Sequence, residues 1–88
     1  MAEVRAGVDA LDEQIVTLLA KRFQFMDAAA RIKRHCEQVR DEPRKAAVIS
    51  HAQAVALEQG VSPTLVAELY ERLVEASIAH ELERFDSR

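Results

Sequence analysis

A helical pattern of about thirty residues without interruption is the feature that most constrains this chain. Apolar residues recur along it at steps of three and four, with one gap at position 22, and form a stripe made of Val4, Val8, Leu11, Ile15, Leu18, Phe25, Ala29 and Ile32. The segment, from about Glu3 to about Lys33, contains no proline and a single glycine, Gly7. A helix of that length extends roughly 45 Å, beyond the ~30 Å width of a small domain. A chain of 88 residues cannot bury such a helix alone, so its far end needs a partner, for which a second copy is the natural candidate.

Two short breaks divide the rest of the chain. The first is the charged stretch Arg34–Pro43, and the second is Gly60–Pro63. Pro43 suits a first helical turn and comes shortly after Asp41, a residue type that caps helix starts. Gly60 suits the end of the same helix. The second helix is therefore predicted to be short and to run from Pro43 to Gly60.

The third helix is predicted to open at Ser62 and Pro63, an N-cap followed by a proline at the first helical position. It continues to about Phe85, and its apolar positions are Leu65, Val66, Leu69, Leu73, Val74, Ala76 and Leu82. The chain is thus predicted to be all-α, with one very long, one short and one medium helix in a single domain covering residues 1–88.

Composition and charge exclude several classes of protein. Hydrophobic residues make up 49% of the chain, which argues against disorder, and the formal net charge of -3 argues against a nucleic-acid binder. No secretory pattern opens the sequence, and no apolar run approaches the ~20 residues of a membrane span. A single cysteine fits a reducing compartment, so we expect a soluble cytoplasmic protein. His35, Cys36 and His51 match no closed zinc pattern, and neither a metal nor a cofactor is expected.

Two cations interrupt the apolar stripe of the first helix. Arg22 fills the gap, and Lys33 lies eleven residues further on, which places it near the same face about 16 Å along the helix. A buried unpaired charge costs several kcal/mol, so an anion should meet these two side chains. The simpler interpretation is that both reach water or pair with Asp12, Asp27 or Glu81. The functional interpretation is a pocket for a small dianion.

The third helix adds a polar pair to an apolar line. Ser77 and Glu81 are four residues apart and extend the line of Leu73 and Val74. Each of them alone is most often a benign or solvated residue. Facing Arg22 and Lys33 across a bundle, they would complete a polar pocket, near which the second helix adds a third cation, Arg44.

The order of these residues resembles the all-helical chorismate mutases. The opening of the chain matches as Arg5-x-x-Val8-Asp9-x-Leu11-Asp12-x-x-Ile15-x-x-Leu18-Leu19-x-x-Arg22. The later matches follow in the same order: Ala30-x-x-Lys33, Arg40-Asp41-x-x-Arg44, Gly60 and Ser77-x-x-x-Glu81. The resemblance covers roughly residues 3 to 85, and five short motifs in register are together fairly specific.

The resemblance implies an intertwined homodimeric helical bundle that acts on a small dicarboxylate without metal or cofactor. It implies that Arg5 enters the site of the other subunit and holds one substrate carboxylate, while Arg22 holds the second. Lys33 would donate to the ether oxygen, where Glu81 occupies the position that usually pairs with it. The implied reaction is the Claisen rearrangement of chorismate to prephenate, in aromatic amino acid biosynthesis.

The same resemblance gives roles to the remaining site residues. Arg44 and Asp41, near the start of the second helix, would help to close the site on the ring side of the substrate, and Ser77 would assist a carboxylate. Two positions depart from the usual family pattern. Glu81 replaces a glutamine, which predicts activity that rises at acidic pH, and Lys45 replaces a glutamate that contacts the substrate hydroxyl.

Other functions remain open from the sequence. The short connection and the pattern from Arg44 to Gly60 also resemble isochorismate-pyruvate lyases, which form salicylate, and an amino-chorismate mutase is a third member of the same fold. A helical interaction module without activity would tolerate apolar residues at Arg22 and Lys33. A three-helix DNA-binding domain is disfavoured because neither the second nor the third helix carries a basic face.

Overall fold

The computed structural model describes residues 1–88 as three α-helices joined by short connections. Helix α1 spans Ala2–Ile32, α2 spans Glu42–Glu58 and α3 spans Pro63–Ser87, with one 3-10 turn at Cys36–Gln38. No strand is present. The predicted all-α class and the order of one very long, one short and one medium helix are confirmed. None of the helices combines the length and the apolar character that crossing a membrane requires.

The ends of α2 and α3 follow from local capping chemistry. The Asp41 side chain accepts a hydrogen bond from the backbone N–H of Arg44 at 3.0 Å, and the Ser62 hydroxyl accepts one from the N–H of Leu65 at 3.2 Å. Both satisfy amides that have no partner inside the helix. Gly60 has a φ of 72°, the left-handed conformation that ends a helix and that other residues adopt at a cost.

Helix α3 packs against both other helices, and the apolar core along it is small. Only 7 of the 88 residues are buried, so little apolar surface stabilises a single chain. The radius of gyration is 15.4 Å, whereas a compact domain of this length has about 12 Å. The chain measures 50 × 24 × 15 Å, and α1 runs nearly its full length. The chain is therefore elongated rather than compact.

The first half of α1 leaves its apolar stripe uncovered within the chain. The exposed fractions of five residues range from 51% to 62%, for Val4, Val8, Leu11, Ile15 and Leu18. All five lie on one helical face, because they recur at steps of three and four. A contiguous apolar face of this kind is characteristic of an interaction surface.

Towards its C-terminal end, α1 turns a different face to the rest of the chain. Phe25 and Ile32 of the apolar stripe are 73% and 79% exposed, whereas Ala30, outside the stripe, is buried. A straight helix drifts by about 20° per heptad, so a stripe that starts at Val4 has turned by the end of α1. In the connection that follows α1, the side chain of Val39 is 4% exposed, because it packs on the core along α3.

Candidate active site

All three helices contribute to one cavity of about 370 Å³, within the range of small-molecule sites. Its charged and polar lining comes from Arg22 and Lys33 of α1, from Asp41, Arg44 and Lys45 at the start of α2, and from Ser77 and Glu81 of α3. Its apolar lining includes Met26, Ala29, Val48, Val74 and Ile78. The structure therefore brings together every predicted site residue except Arg5.

Lys33 and Glu81 form an ion pair at the wall shared by α1 and α3. Lys33 Nζ lies 2.8 Å from Glu81 Oε1, and the exposed fractions of the two side chains are 28% and 5%. Glu81 Oε1 is buried, and its contact within the chain is this ion pair with the Lys33 ammonium. Of the anions considered in the sequence, Glu81 is the one that meets Lys33.

Arg22 is held by Ser77 on the same wall. Arg22 Nη1 donates to Ser77 Oγ at 2.5 Å, and the hydroxyl of Ser77 donates to the carbonyl of Leu73 at 2.7 Å. Because the serine proton is committed to the carbonyl, the oxygen is left to accept from the guanidinium. Only one guanidinium nitrogen is used, so the remaining donors of Arg22 are free to bind a carboxylate bidentately.

Arg44 faces this wall from the first turn of α2. Asp41 is the N-cap of that helix and holds the backbone of Arg44 in place. The guanidinium of Arg44 makes no ion pair within the chain, although it lines the cavity. An unpaired cation at the mouth of a polar cavity is suited to an anionic ligand.

Arg5 does not line the cavity of its own chain. It lies in the second turn of α1 on the half that contacts neither α2 nor α3 and is exposed. Seventeen residues separate Arg5 from Arg22, about 25 Å along the helix. If Arg5 serves a site of this kind, that site must belong to another chain.

A second, larger cavity of about 620 Å³ adjoins the first and shares Arg22, Met26, Arg44 and Val48 with it. The rest of its lining is mostly apolar and comes from α2, α3 and the connection between them, including Val55, Val61, Val66 and Tyr70. It is an apolar groove between the two shorter helices, and it leads directly to the cations of the first cavity.

A network of ion pairs beside the cavity had no signal in the sequence. Lys45 Nζ lies 2.7 Å from Glu71 Oε1 and 2.9 Å from Glu75 Oε2, and Arg40 binds Glu75 through both guanidinium nitrogens at 2.7 and 3.1 Å. Hydrogen bonds from Arg40 and then from Lys45 lower the pKa of Glu75 to about 2. The hydrogen bond to Glu71, followed by the one to Glu75, raises the pKa of Lys45. Arg40 and Glu75 are 35 positions apart, so no local pattern joins them.

Asp27, named above as a possible partner of the inward cations, pairs elsewhere. Its Oδ1 lies 2.6 Å from His80 Nε2 and 3.4 Å from Arg84 Nε. The ring of Phe23 packs edge-on against His80 at 4.9 Å between centroids. This cluster joins α1 to α3 outside the lining of the cavity. No group of three or more His, Cys, Asp or Glu side chains is arranged to hold a metal ion.

Comparison with known proteins agrees with this geometry. A search of curated proteins finds no match to the chain. The model of one protein family, described as chorismate mutase type II, matches residues 4–82. That match includes all three helices and every residue of the cavity described above. The chain therefore belongs to the chorismate mutase type II family.

Proposed function

We propose that the protein is a chorismate mutase, an isomerase that converts chorismate to prephenate. The observation that carries the proposal is one cavity lined by the Arg22–Ser77 and Lys33–Glu81 pairs between α1 and α3 and by the unpaired Arg44 of α2. Four cations and two carboxylates line the cavity, and the arginines among them form no ion pair within the chain, which suits a small molecule with two carboxylates. Membership of the family supplies the substrate class.

The proposed reaction breaks one C–O bond and forms one C–C bond within the same molecule. It requires no nucleophile and no net proton transfer, so the protein has to hold the substrate in a compact shape and stabilise the charge that grows on the ether oxygen. Arg22 and Arg44 are placed to bind carboxylates, and the ammonium of Lys33 is placed to face the ether oxygen. Glu81 can donate a hydrogen bond to that oxygen only when it is protonated.

The proposal includes a homodimer in which Arg5 completes the site of the partner. Its support is the uncovered stripe on the first half of α1 and the apolar groove between α2 and α3 that leads to Arg22 and Arg44. A second copy would cover both surfaces at once, because each copy carries one stripe and one groove. Arg5, which flanks that stripe, would then reach the cations of the partner's cavity.

The reaction is tested by supplying purified protein with chorismate and isochorismate in separate assays. We expect prephenate from chorismate and no salicylate from isochorismate. Arg22→Ala should lower kcat/KM by about a hundredfold or more, since it removes a charged contact to the substrate. Lys21→Ala removes the neighbouring, exposed cation and should leave turnover unchanged.

Three outcomes of the same assays would contradict the proposal. Salicylate from isochorismate would identify a lyase, and turnover only of the amino-substituted analogue would identify an amino-chorismate mutase. A folded Arg22→Ala variant that keeps full activity would remove the cavity from the mechanism.

The sharing of Arg5 between subunits is tested by mixing two inactive variants. Arg5→Ala and Arg22→Ala should each be nearly inactive as homodimers. Their mixed dimer would contain one site with both arginines intact, so unfolding and refolding an equal mixture should restore about one quarter of wild-type activity. No recovery, despite mixed dimers seen by mass spectrometry, would show that Arg5 does not act across the interface.

Dimer formation itself is tested on the exposed stripe. Ile15→Glu should yield a monomer in sedimentation equilibrium, because it places a charge on a surface that has to lose its water. Gln14→Glu adds the same charge at the adjacent position, off the stripe, and should leave the dimer intact.

A further inference from the structure

One carboxylate fastens the start of α2 to α3 at two points. Arg40, just before the helix, binds Glu75 through both of its terminal nitrogens, and Lys45, in its first turn, binds the Oε2 atom of the same side chain. The two cations are five residues apart, and Asp41 and Arg44 lie between them. The segment 40–45 is therefore held at both ends by Glu75 on a different helix.

No other residue joins the two ends of this segment. Glu71 binds Lys45 alone, and Glu42 binds Arg40 from within the segment itself. Neither of them can fix Arg40 relative to α3. The side chain of Val39 packs against α3 next to Arg40, but it constrains only the entrance to the segment.

We propose that Glu75 is a positioning residue that holds Arg44 at the mouth of the cavity for substrate binding. The inference rests on the proposed function, because the ligand of Arg44 is taken to be the substrate carboxylate. Asp41 fixes the backbone of Arg44 within the helix, and Glu75 fixes that part of the helix against α3, which carries Ser77 and Glu81. The distance between Arg44 and the cavity-lining residues of α3 thus depends on this ion-pair network together with the apolar packing of α2 on α3.

Arg44 grips a group that is present in the ground state and in the transition state alike. If Arg44 is displaced, the protein should bind the ground state and the transition state less tightly by the same amount. KM should therefore rise and kcat should stay nearly unchanged. A purely structural role of Glu75 has a different signature. Partial unfolding lowers the concentration of active protein, which reduces the apparent kcat and does not change KM.

The test uses Glu75→Gln, which keeps the shape and removes the charge. We expect KM for chorismate to rise about tenfold and kcat to stay within about twofold of wild type. The tenfold change corresponds to the interaction energy that is typical between residues of one ion-pair network. Glu71→Gln is the matched control, because it removes one bond to Lys45 without freeing Arg40, and its KM should stay within about twofold of wild type. Arg40→Gln breaks the same link from the other side and should raise KM as Glu75→Gln does, so the test does not depend on one variant folding.

Two further measurements separate this inference from its alternatives. In an Arg44→Ala background, Glu75→Gln should produce little additional increase in KM, because it acts through the missing side chain. If the effects of Glu75→Gln and Arg44→Ala on KM multiply independently, the inference is overturned. A KM of Glu75→Gln within twofold of wild type would overturn it as well. Amide hydrogen exchange of residues 39–45 should accelerate in Glu75→Gln, a readout that needs no substrate. Faster exchange without chorismate turnover by the wild type would refute the proposed function, whereas normal turnover with unchanged exchange would refute only the role of Glu75.

Discussion

The ion pair between Lys33 and Glu81 allows catalysis to be separated from stability by a pair of substitutions. Lys33→Met removes the cation and keeps a flexible side chain of similar length. It leaves Glu81, whose side chain is 5% exposed, without its counter-charge. Removing one partner of a buried ion pair costs about 3 to 5 kcal/mol. Because Lys33 is 28% exposed and partly screened by water, we expect a smaller loss, about 2 to 3 kcal/mol.

The double variant Lys33→Met/Glu81→Leu should recover most of that loss. An apolar pair of similar volume is often as stable as a buried ion pair, since neither charge has to be desolvated. The rearrangement should not recover. A single preorganised donor at a developing negative charge contributes about 10²- to 10³-fold in rate, so both variants should be slower than wild type by at least that factor.

Stability is measured by urea unfolding at one fixed protein concentration, since dissociation of a dimer would make the result concentration-dependent. Turnover is measured as prephenate formed by the folded fraction. A double variant with nearly wild-type turnover would refute the reasoning, because the pair would then be structural and Lys33 would not face the reacting oxygen. A Lys33→Met variant as stable as wild type would show that Glu81 is not left as a buried charge.

Three more predictions follow from individual residues. Wild-type activity should increase as the pH falls, because Glu81 donates a hydrogen bond only when it is protonated. Glu81→Gln donates at every pH and should give a flatter pH–rate profile. Identical profiles for the two proteins would contradict this role of Glu81. The pKa of Glu75 is lowered from 4.5 to about 2, so its ion pairs stabilise the fold fully above pH 4.5 and are lost as the pH falls through 2. The difference in unfolding free energy between wild type and Glu75→Gln should accordingly be constant above pH 4.5 and shrink below it, and a difference independent of pH down to 2 would count against the pairs. Gly60→Ala should lower the unfolding free energy by about 1 kcal/mol, because its φ of 72° strains any residue with a Cβ although no atom lies within 4 Å; an unchanged urea midpoint would contradict that cause.

Local rules predicted the helices well because each signal acts within a few residues. Asp41, Ser62 and Gly60 mark helix ends through hydrogen bonds and backbone angles that involve only their neighbours. Spacing likewise placed Ser77 and Glu81 on one face of α3, and the structure buries both at 3% exposure. Periodicity did not indicate which side of α1 meets the rest of the chain, since Ala30, outside the stripe, is buried, whereas Phe25 and Ile32 within it are exposed.

By itself the sequence determined which residues are helical, where the helices end, and that Arg22 and Lys33 interrupt an apolar face. Only the tertiary structure decided which anion each cation meets: Glu81 rather than Asp27 for Lys33, and Glu75 for both Arg40 and Lys45. The physical reason is range. A cap or a helical face is set by residues within one or two turns, whereas these pairs join residues 30 to 48 positions apart. Their contact depends on how two rigid helices are rotated and shifted against each other, and that packing is a property of the whole chain.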